Sequence, residues 1–339
     1  MISVSGFKSV IAVLDFFNTK EKCAIYLEQQ RWPNGVCCPN CGHAKVYRTA
    51  RGFKCANKDC TRKHFSVISG TVFENTKIEL RYWFAAIYII TAHKKGISSH
   101  QLARDLGISQ KTAWFLNHRV REMMGLKNAP TLNNTVEVDE TFIGGKNKNR
   151  HKDKKVKNSQ GRSVKDKVPV VGLIERGGQL ITMKAKNTKG ATLVPIVKKN
   201  VTEGATVMTD EWGGYNKLRA KFDHMVINHK LGEYVNGDIH TNTIENYWSL
   251  FKRGIIGIYH HLSEKHLDRY CDEFSYRFNS RNISDRQRFE NTLTKCNRRL
   301  SWNDLVYGKT TEPIIPITPT LPESSTAFTS MKEYKKFKK

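Results

Sequence analysis

Two groups of side chains in this chain have types and spacings that suit chemistry. The first is a set of carboxylates. Asp139 lies mid-strand in "VEVDETF", Asp210 ends the strand "ATVMTD", and Glu245 falls in "HTNTIENYWSLFKRG", which reads as the start of a helix. By strand alternation Asp139 emerges on the same face as Glu137 and Thr141, opposite Val136, Val138 and Glu140. Helical residues seven apart differ by about 700°, so Glu245 and Lys252 lie nearly on one face two turns apart. Arg253 adds charge beside them, and Ile244, Trp248 and Phe251 give the helix apolar anchoring surface. A carboxylate and a cation aligned in this way can hold a metal ion and a phosphate together. Any one of these acids alone reads as a solvated surface group. The set rests on three features together: an acid on one strand, an acid ending a later strand, and an acid on a helix with a lysine seven residues on.

The second group is cysteine. "CPNCGH" gives Cys38 and Cys41 at two-residue spacing, and "CANKDC" gives Cys55 and Cys60, with thirteen residues between the pairs. Two pairs on two knuckles supply four thiolates for a tetrahedral Zn²⁺, and Gly42 suits the tight first knuckle. The second pair has four intervening residues rather than two, and His43 and His64 stand as substitutes for one ligand. Zinc here is structural, since so small a region has little core without it. Cys37 reads as packed rather than ligating, and Cys23, Cys271 and Cys296 have no assigned role. Clustered cysteines in a large basic chain indicate metal ligands in a reducing cytoplasm rather than a disulfide scaffold.

The charge balance bounds the partners. Against 57 Lys and Arg stand 31 Asp and Glu, a formal net charge of +26 over 339 residues. That excess favours nucleic acid or an anionic surface. A membrane partner is not expected. The longest apolar run, "YWFAAIYIITA" from Tyr82, has eleven residues where a spanning helix needs about twenty. The N-terminus has no basic start and no small-residue cleavage site, and reads as mature protein.

Helices are expected over residues 1–30, from Lys77 to His93, and as a pair around "LGIS" within 96–124. In "SHQLARDLGISQKTAWFLNHR", Leu102, Leu106, Ile108, Ala113 and Leu116 fall where a helix-turn-helix keeps its apolar contacts. Gly107 sits at the turn, Ser109 can cap the second helix, and Gln110 and Lys111 would then face the major groove. An ordinary helical hairpin fits the same pattern. After the linker "NAPTLNNT", the stretches "TVEVDETFIGG", "VPVVGLIER" and "GGQLITMKAKN" form a three-stranded meander. A helix near 189–200, the strand "ATVMTD" and helices from about Thr243 follow, which together indicate an α/β domain with a partly antiparallel sheet. Residues 146–167 contain ten Lys or Arg and two Asp, and read as a flexible basic loop, either laid along a nucleic-acid backbone or merely solvated.

The sequence resembles the DDE transposases of bacterial insertion sequences, in the ISXO-like group that carries a zinc ribbon and is related to Merlin elements. The likeness is carried by "RWPNGVCCPNCG", "FSVISGTVFENTK", "VEVDETFIGGK", "TDEWGGY" and "HTNTIENYWSLFKRGIIGIYHHLSEKHLDRYCDEFSYRFNSR", spanning about Phe16 to Arg281. It implies an N-terminal helix and zinc ribbon over 1–76, a helix-turn-helix DNA-binding region over 77–130, and a ribonuclease H-like catalytic domain of mixed sheet and helices over 131–305 with the basic insertion 146–167. A disordered basic tail over 306–339 follows. It further implies that Asp139, Asp210 and Glu245 hold two Mg²⁺ ions, with Mn²⁺ as a substitute, that Lys252 contacts DNA phosphate, and that His240 and Asn242 shape the site. Zn²⁺ on Cys38, Cys41, Cys55 and Cys60, and DNA contacts from Ser109, Gln110, Lys111, Lys252 and Arg253, complete the expectation. The implied partners are double-stranded DNA, as terminal inverted repeats and target, and a second copy of the chain in a homodimer or higher oligomer. The implied location is the bacterial cytoplasm, on the nucleoid when DNA is bound. A catalytically silent DNA-binding regulator derived from such an enzyme is the alternative.

Overall fold

A computed structural model of the chain describes residues 7–125, 130–144, 151–157, 165–228, 235 and 237–308. Most of the basic insertion (145–150 and 158–164) and the tail from 309 lie outside the described residues. The chain divides into two compact units, one formed by residues 7–94, 99–124 and 283–308 and the other by 95–98 and 125–282.

The first unit opens with α1 (Val10–Phe16) and α2 (Lys20–Arg31). Each has the hydroxyl cap its sequence offers: Ser9 Oγ accepts from Ala12 N and Thr19 Oγ1 from Lys22 N, both at 3.2 Å. A small antiparallel sheet follows, in the order β1 (Val46–Thr49), β2 (Gly52–Cys55), β3 (His64–Phe65). Helix α3 (Leu80–Ala92) buries residues on nearly every face, as its apolar run requires. Helices α4 (Ser99–Leu106) and α5 (Gln110–Met124) meet at Gly107, whose φ of +64° is the left-handed conformation that ends α4. Ile108 N donates to Ala103 O at 3.0 Å across that turn, and Ser109 Oγ accepts from Thr112 N at 3.3 Å to start α5.

The second unit is a five-stranded mixed sheet in the order β6-β5-β4-β7-β8. The meander runs through β4 (Thr135–Ile143), β5 (Val168–Glu175) and β6 (Leu180–Lys184), antiparallel throughout. After α6 (Gly190–Asn200), β7 (Thr206–Asp210) joins β4 in parallel and β8 (Asp223–Ile227) joins β7 in parallel. The sequence expectation lacked β8. Its residues "DHMVI" place Asp223 and His224 at the start of an edge strand, where alternation is a weak signal.

Helices cover both faces of the sheet. Val136, Val138, Leu173 and Val207 pack with Leu193 and Val197 of α6 on one side. Val170, Ile174 and Leu180 pack on the other side with α7 (Asn242–Gly254) and α8 (Leu267–Asn279), through Ile244, Trp248, Phe251 and Phe274. Gly172, paired with Asp139 across the β4–β5 ladder, sits beneath α7. A Cβ there would lie 2.7 Å from Trp248 Cζ2 and 2.8 Å from Ile244 Cδ1, so its absence lets α7 lie close against the sheet. This is the mixed α/β arrangement of a ribonuclease H-like domain.

From Ile283 the chain packs with the first unit as α9 (Asp285–Leu293) and α10 (Trp302–Tyr307). The sequence expectation carries the catalytic domain to 305 instead. The difference has an aromatic cause. Phe289 lies with Phe7, Phe17 and Phe84 at ring distances of 5.4, 6.1 and 5.8 Å, and Trp302 packs on Trp114 and Phe115 at 5.8 and 5.4 Å. Among the described residues, no helix is long and apolar enough to cross a membrane.

Candidate active site and metal centre

The acids of "EVDE" on β4 point to two faces, and each makes a different set of bonds. Glu140 faces the α6 side, where its Oε2 accepts from Tyr215 Oη at 2.6 Å. Tyr215 belongs to the turn of helix Gly213–Ala220 that follows Asp210 in "DEWGGY", so this bond fastens that segment to β4. Glu137 faces the α7 side and is fully buried. Its oxygens accept from Thr243 N (2.9 Å), Ile244 N (3.0 Å), Thr243 Oγ1 (2.9 Å) and Arg176 Nε (2.9 Å). Between them, Asp139 Oδ2 accepts from Trp248 Nε1 of α7 at 3.0 Å.

Asp210 ends β7, and Asp139 stands in the middle of the neighbouring parallel strand β4. Glu137 pairs with Met208, and the same offset carried two residues further sets Asp139 level with Asp210. Asp210 Oδ1 accepts from Trp212 N at 3.1 Å. Glu245 sits exposed in the first turn of α7, with Thr241 Oγ1 donating to its Oε1 at 3.0 Å. Burial pushes the Asp139 carboxyl up to about 7, and the charges of Glu140, Asp210 and Glu245 add to the rise. Asp139, whose proton affinity the charges of Asp210 and Glu245 help to raise, makes with them an oxygen donor set of the kind that suits a hard divalent cation. Their oxygens are not as close as the thiols described next: among the described residues, the four cysteines are the only group of three or more such side chains whose ligand atoms all lie within 4.8 Å of one another. Lys252 and Arg253 are exposed in the last turn of the same helix.

In the first unit, Cys38 and Cys60 have their sulfurs 3.7 Å apart, and Cys41 and Cys55 theirs 3.6 Å apart. A tetrahedron of thiolates around zinc at about 2.3 Å sets its sulfurs about 3.8 Å apart. The four thiols therefore already have the dimensions of a structural zinc site. The long second spacing is absorbed by a turn in which Asn57 Oδ1 accepts from Asp59 N at 2.9 Å. His43 and His64 are both exposed and stand outside the four-sulfur group. Cys37 is buried with Trp32, Phe53 and Phe65, as expected of a packed residue. Burial pushes the Cys38 thiol up, so zinc entry has to displace its proton.

The expected DNA-facing residues of α5 have intramolecular partners. Ser109 pairs with Thr112, Gln110 Nε2 donates to Ser99 Oγ at 2.9 Å, and Lys111 Nζ lies 4.8 Å over the Trp302 ring. Sequence reasoning takes Trp248 for an apolar anchor only, and it has no signal for Arg176 or Gly172. Alternation along β4 does put Glu137 on the face of Asp139, but which helix it meets depends on a partner 106 residues away.

Two outcomes follow. Treatment with a strong chelator should release about one zinc per chain and remove amide-exchange protection from β1–β3 while leaving β4–β8 protected; zinc retained in a Cys38→Ser, Cys60→Ser double variant would contradict this. The second concerns pH. Because the Asp139 pKa is raised on folding, its contribution to stability is fully present below about 4 and is lost as pH rises through about 7. With zinc bound and no other divalent ion, the melting temperature of wild type should therefore fall by several degrees more than that of Asp139→Asn between about pH 5 and 8. Parallel curves would show that Asp139 is not so perturbed.

Comparison with known proteins agrees with this architecture. Residues 131–279 match the ISXO2-like transposase domain, and residues 18–63 match a transposase zinc-ribbon domain. An uncharacterized protein in transposable element ISH50 of Halobacterium salinarum is 34% identical over 253 residues, which cover 70% of this chain and 83% of that protein. An uncharacterized transposase-like protein of Haemophilus influenzae is 29% identical over 106 residues, 31% of this chain and 85% of that one. No solved structure matches the chain. With a zinc ribbon in its first unit and a mixed ribonuclease H-like sheet in its second, the chain belongs to the ISXO2-like transposases.

Proposed function

We propose that this transposase binds the terminal inverted repeats of its own insertion sequence, hydrolyses DNA there to free 3′-hydroxyl ends, and joins those ends to target DNA. Asp139, Asp210 and Glu245 hold two Mg²⁺ ions, or Mn²⁺ in their place. The observation that carries this is that Asp139 lies level with Asp210 across β4 and β7, and that the charges of Asp210 and Glu245 help to raise its proton affinity. Bound there, the two ions would activate the attacking oxygen and stabilise the departing 3′ oxygen of a phosphodiester.

The chain's own residues supply the rest. Trp248 donates to one oxygen of Asp139 and so fixes the orientation of the carboxylate that would hold the metal. Lys252 and Arg253, exposed on the helix of Glu245, contact DNA phosphate beside the reacting end. The net charge of +26 draws the polyanion to the protein with a strong dependence on salt. Ser109, Gln110 and Lys111 begin the helix that reads the repeat. For base contact Gln110 must leave Ser99, and Lys111 must leave the Trp302 ring. Two copies of the chain pair the two ends, in the cytoplasm and on the nucleoid.

The test is cleavage of DNA flanking this protein's own gene, with Mg²⁺, by wild type and Asp139→Asn. Wild type should nick at a pair of inverted repeats, and Asp139→Asn should lose about 10²–10³-fold or more of that activity while still binding DNA. Cleavage by Asp139→Asn at the wild-type rate would remove the metal-site assignment. Specific binding with no nicking under any metal condition would favour a catalytically silent regulator.

A further inference from the structure

Helix α7 starts at Asn242, and its first backbone N–H groups have no carbonyl partner inside the helix. The residue placed to cap them locally does not do so. Thr241 makes no side-chain bond to the helix backbone, and its hydroxyl donates to Glu245 instead. The acceptor comes from 106 residues earlier, where Glu137 Oε2 takes Thr243 N at 2.9 Å and, on the same oxygen, Ile244 N at 3.0 Å. Its other oxygen accepts from Thr243 Oγ1 and from Arg176 Nε, each at 2.9 Å.

Glu137 is 0% exposed. A buried carboxylate is costly unless its charge and lone pairs are met. Here the positive end of the helix dipole and the Arg176 guanidinium meet them together. Arg176 also donates to the carbonyls of Asp238 (2.6 Å) and His240 (3.0 Å), which fastens the chain leading into α7. Glu137 and Asp139 share one face of one strand, and Glu245 lies in the turn that Glu137 caps.

We propose that Glu137 is a positioning residue, a helix cap supplied from β4 that, with Arg176, sets Glu245 against Asp139 for metal binding. The proposal rests on the reading of Asp139, Asp210 and Glu245 as metal ligands. The cap fixes the first turn of α7 to the strand that carries Asp139. Without it that turn frays, as helix ends do, and Glu245 frays with it. Trp248 holds the second turn to Asp139 independently, so the rest of α7 remains docked.

The experiment uses the full-length, zinc-loaded chain as wild type, Glu137→Gln and Glu137→Ala, with two readouts. The first is amide hydrogen exchange at Thr243, Ile244 and Glu245 without added metal. The second is Mn²⁺ binding by titration calorimetry. In Glu137→Ala, exchange at these amides should rise about tenfold or more while β4–β8 stay protected, and Mn²⁺ affinity should fall about tenfold. Glu137→Gln, which keeps one acceptor oxygen, should fall between the two, and it decides by the same readouts where Glu137→Ala does not fold. Unchanged exchange would overturn the cap. Faster exchange with unchanged Mn²⁺ affinity would overturn the positioning role and leave a purely structural one. Absence of Mn²⁺ binding in wild type, with the exchange difference intact, would remove the metal assignment and this role with it, and is distinguishable from both.

Discussion

A carboxylate taken out of water beneath a helix needs its charge and its lone pairs met, and much of the second unit is arranged around Glu137 in that state. The strand supplies the acid, the N-terminus of α7 supplies two amides and a hydroxyl, and the turn after β5 supplies Arg176. Each partner comes from a different part of the chain. The bonds form together only when β4, β5 and α7 are all in place, which makes the register of α7 on the sheet specific rather than merely apolar. Gly172 permits the close approach, and the Trp248–Asp139 bond extends the same register by one turn.

A second constraint runs against the first. The charges of Glu140, Asp210 and Glu245 all bear on the largely buried Asp139. Burial, and after it these like charges, raise the pKa of Asp139. The fold thus holds a repulsion that a divalent cation would relieve. A repulsion kept at a cost in stability is what a functional site is expected to show. The short acidic cluster "EVDE" has a divided explanation: Glu137 holds α7, Glu140 holds Tyr215, and Asp139 takes the Trp248 N–H under the charges of Asp210 and Glu245.

Much of this was legible in the sequence, and the limits have physical causes. The meander of β4–β6 has clear turns and strong β-formers, and α3 is apolar throughout. Gly107 and Ser109 mark the α4–α5 turn by residue types that few other conformations need. The four zinc ligands follow from spacing, and the doubt over the fourth disappears because a local turn at Asn57 brings Cys60 back to Cys38. The edge strand β8 was not legible, since Asp223 and His224 break the alternation. Neither was the return of α9 and α10 to the first unit, which depends on Phe289 and Trp302 meeting rings far away in sequence. Arg176 and the Trp248 N–H gain their roles from tertiary neighbours alone, and no local pattern announces them.

The measurement that tests the central claim most directly is anomalous scattering from crystals of the zinc-loaded chain grown with Mn²⁺, recorded on both sides of the manganese edge. Two manganese peaks bounded by Asp139, Asp210 and Glu245 are predicted, with the zinc peak among Cys38, Cys41, Cys55 and Cys60 as an internal reference. A zinc peak with no manganese at the three carboxylates, at saturating Mn²⁺, would contradict it.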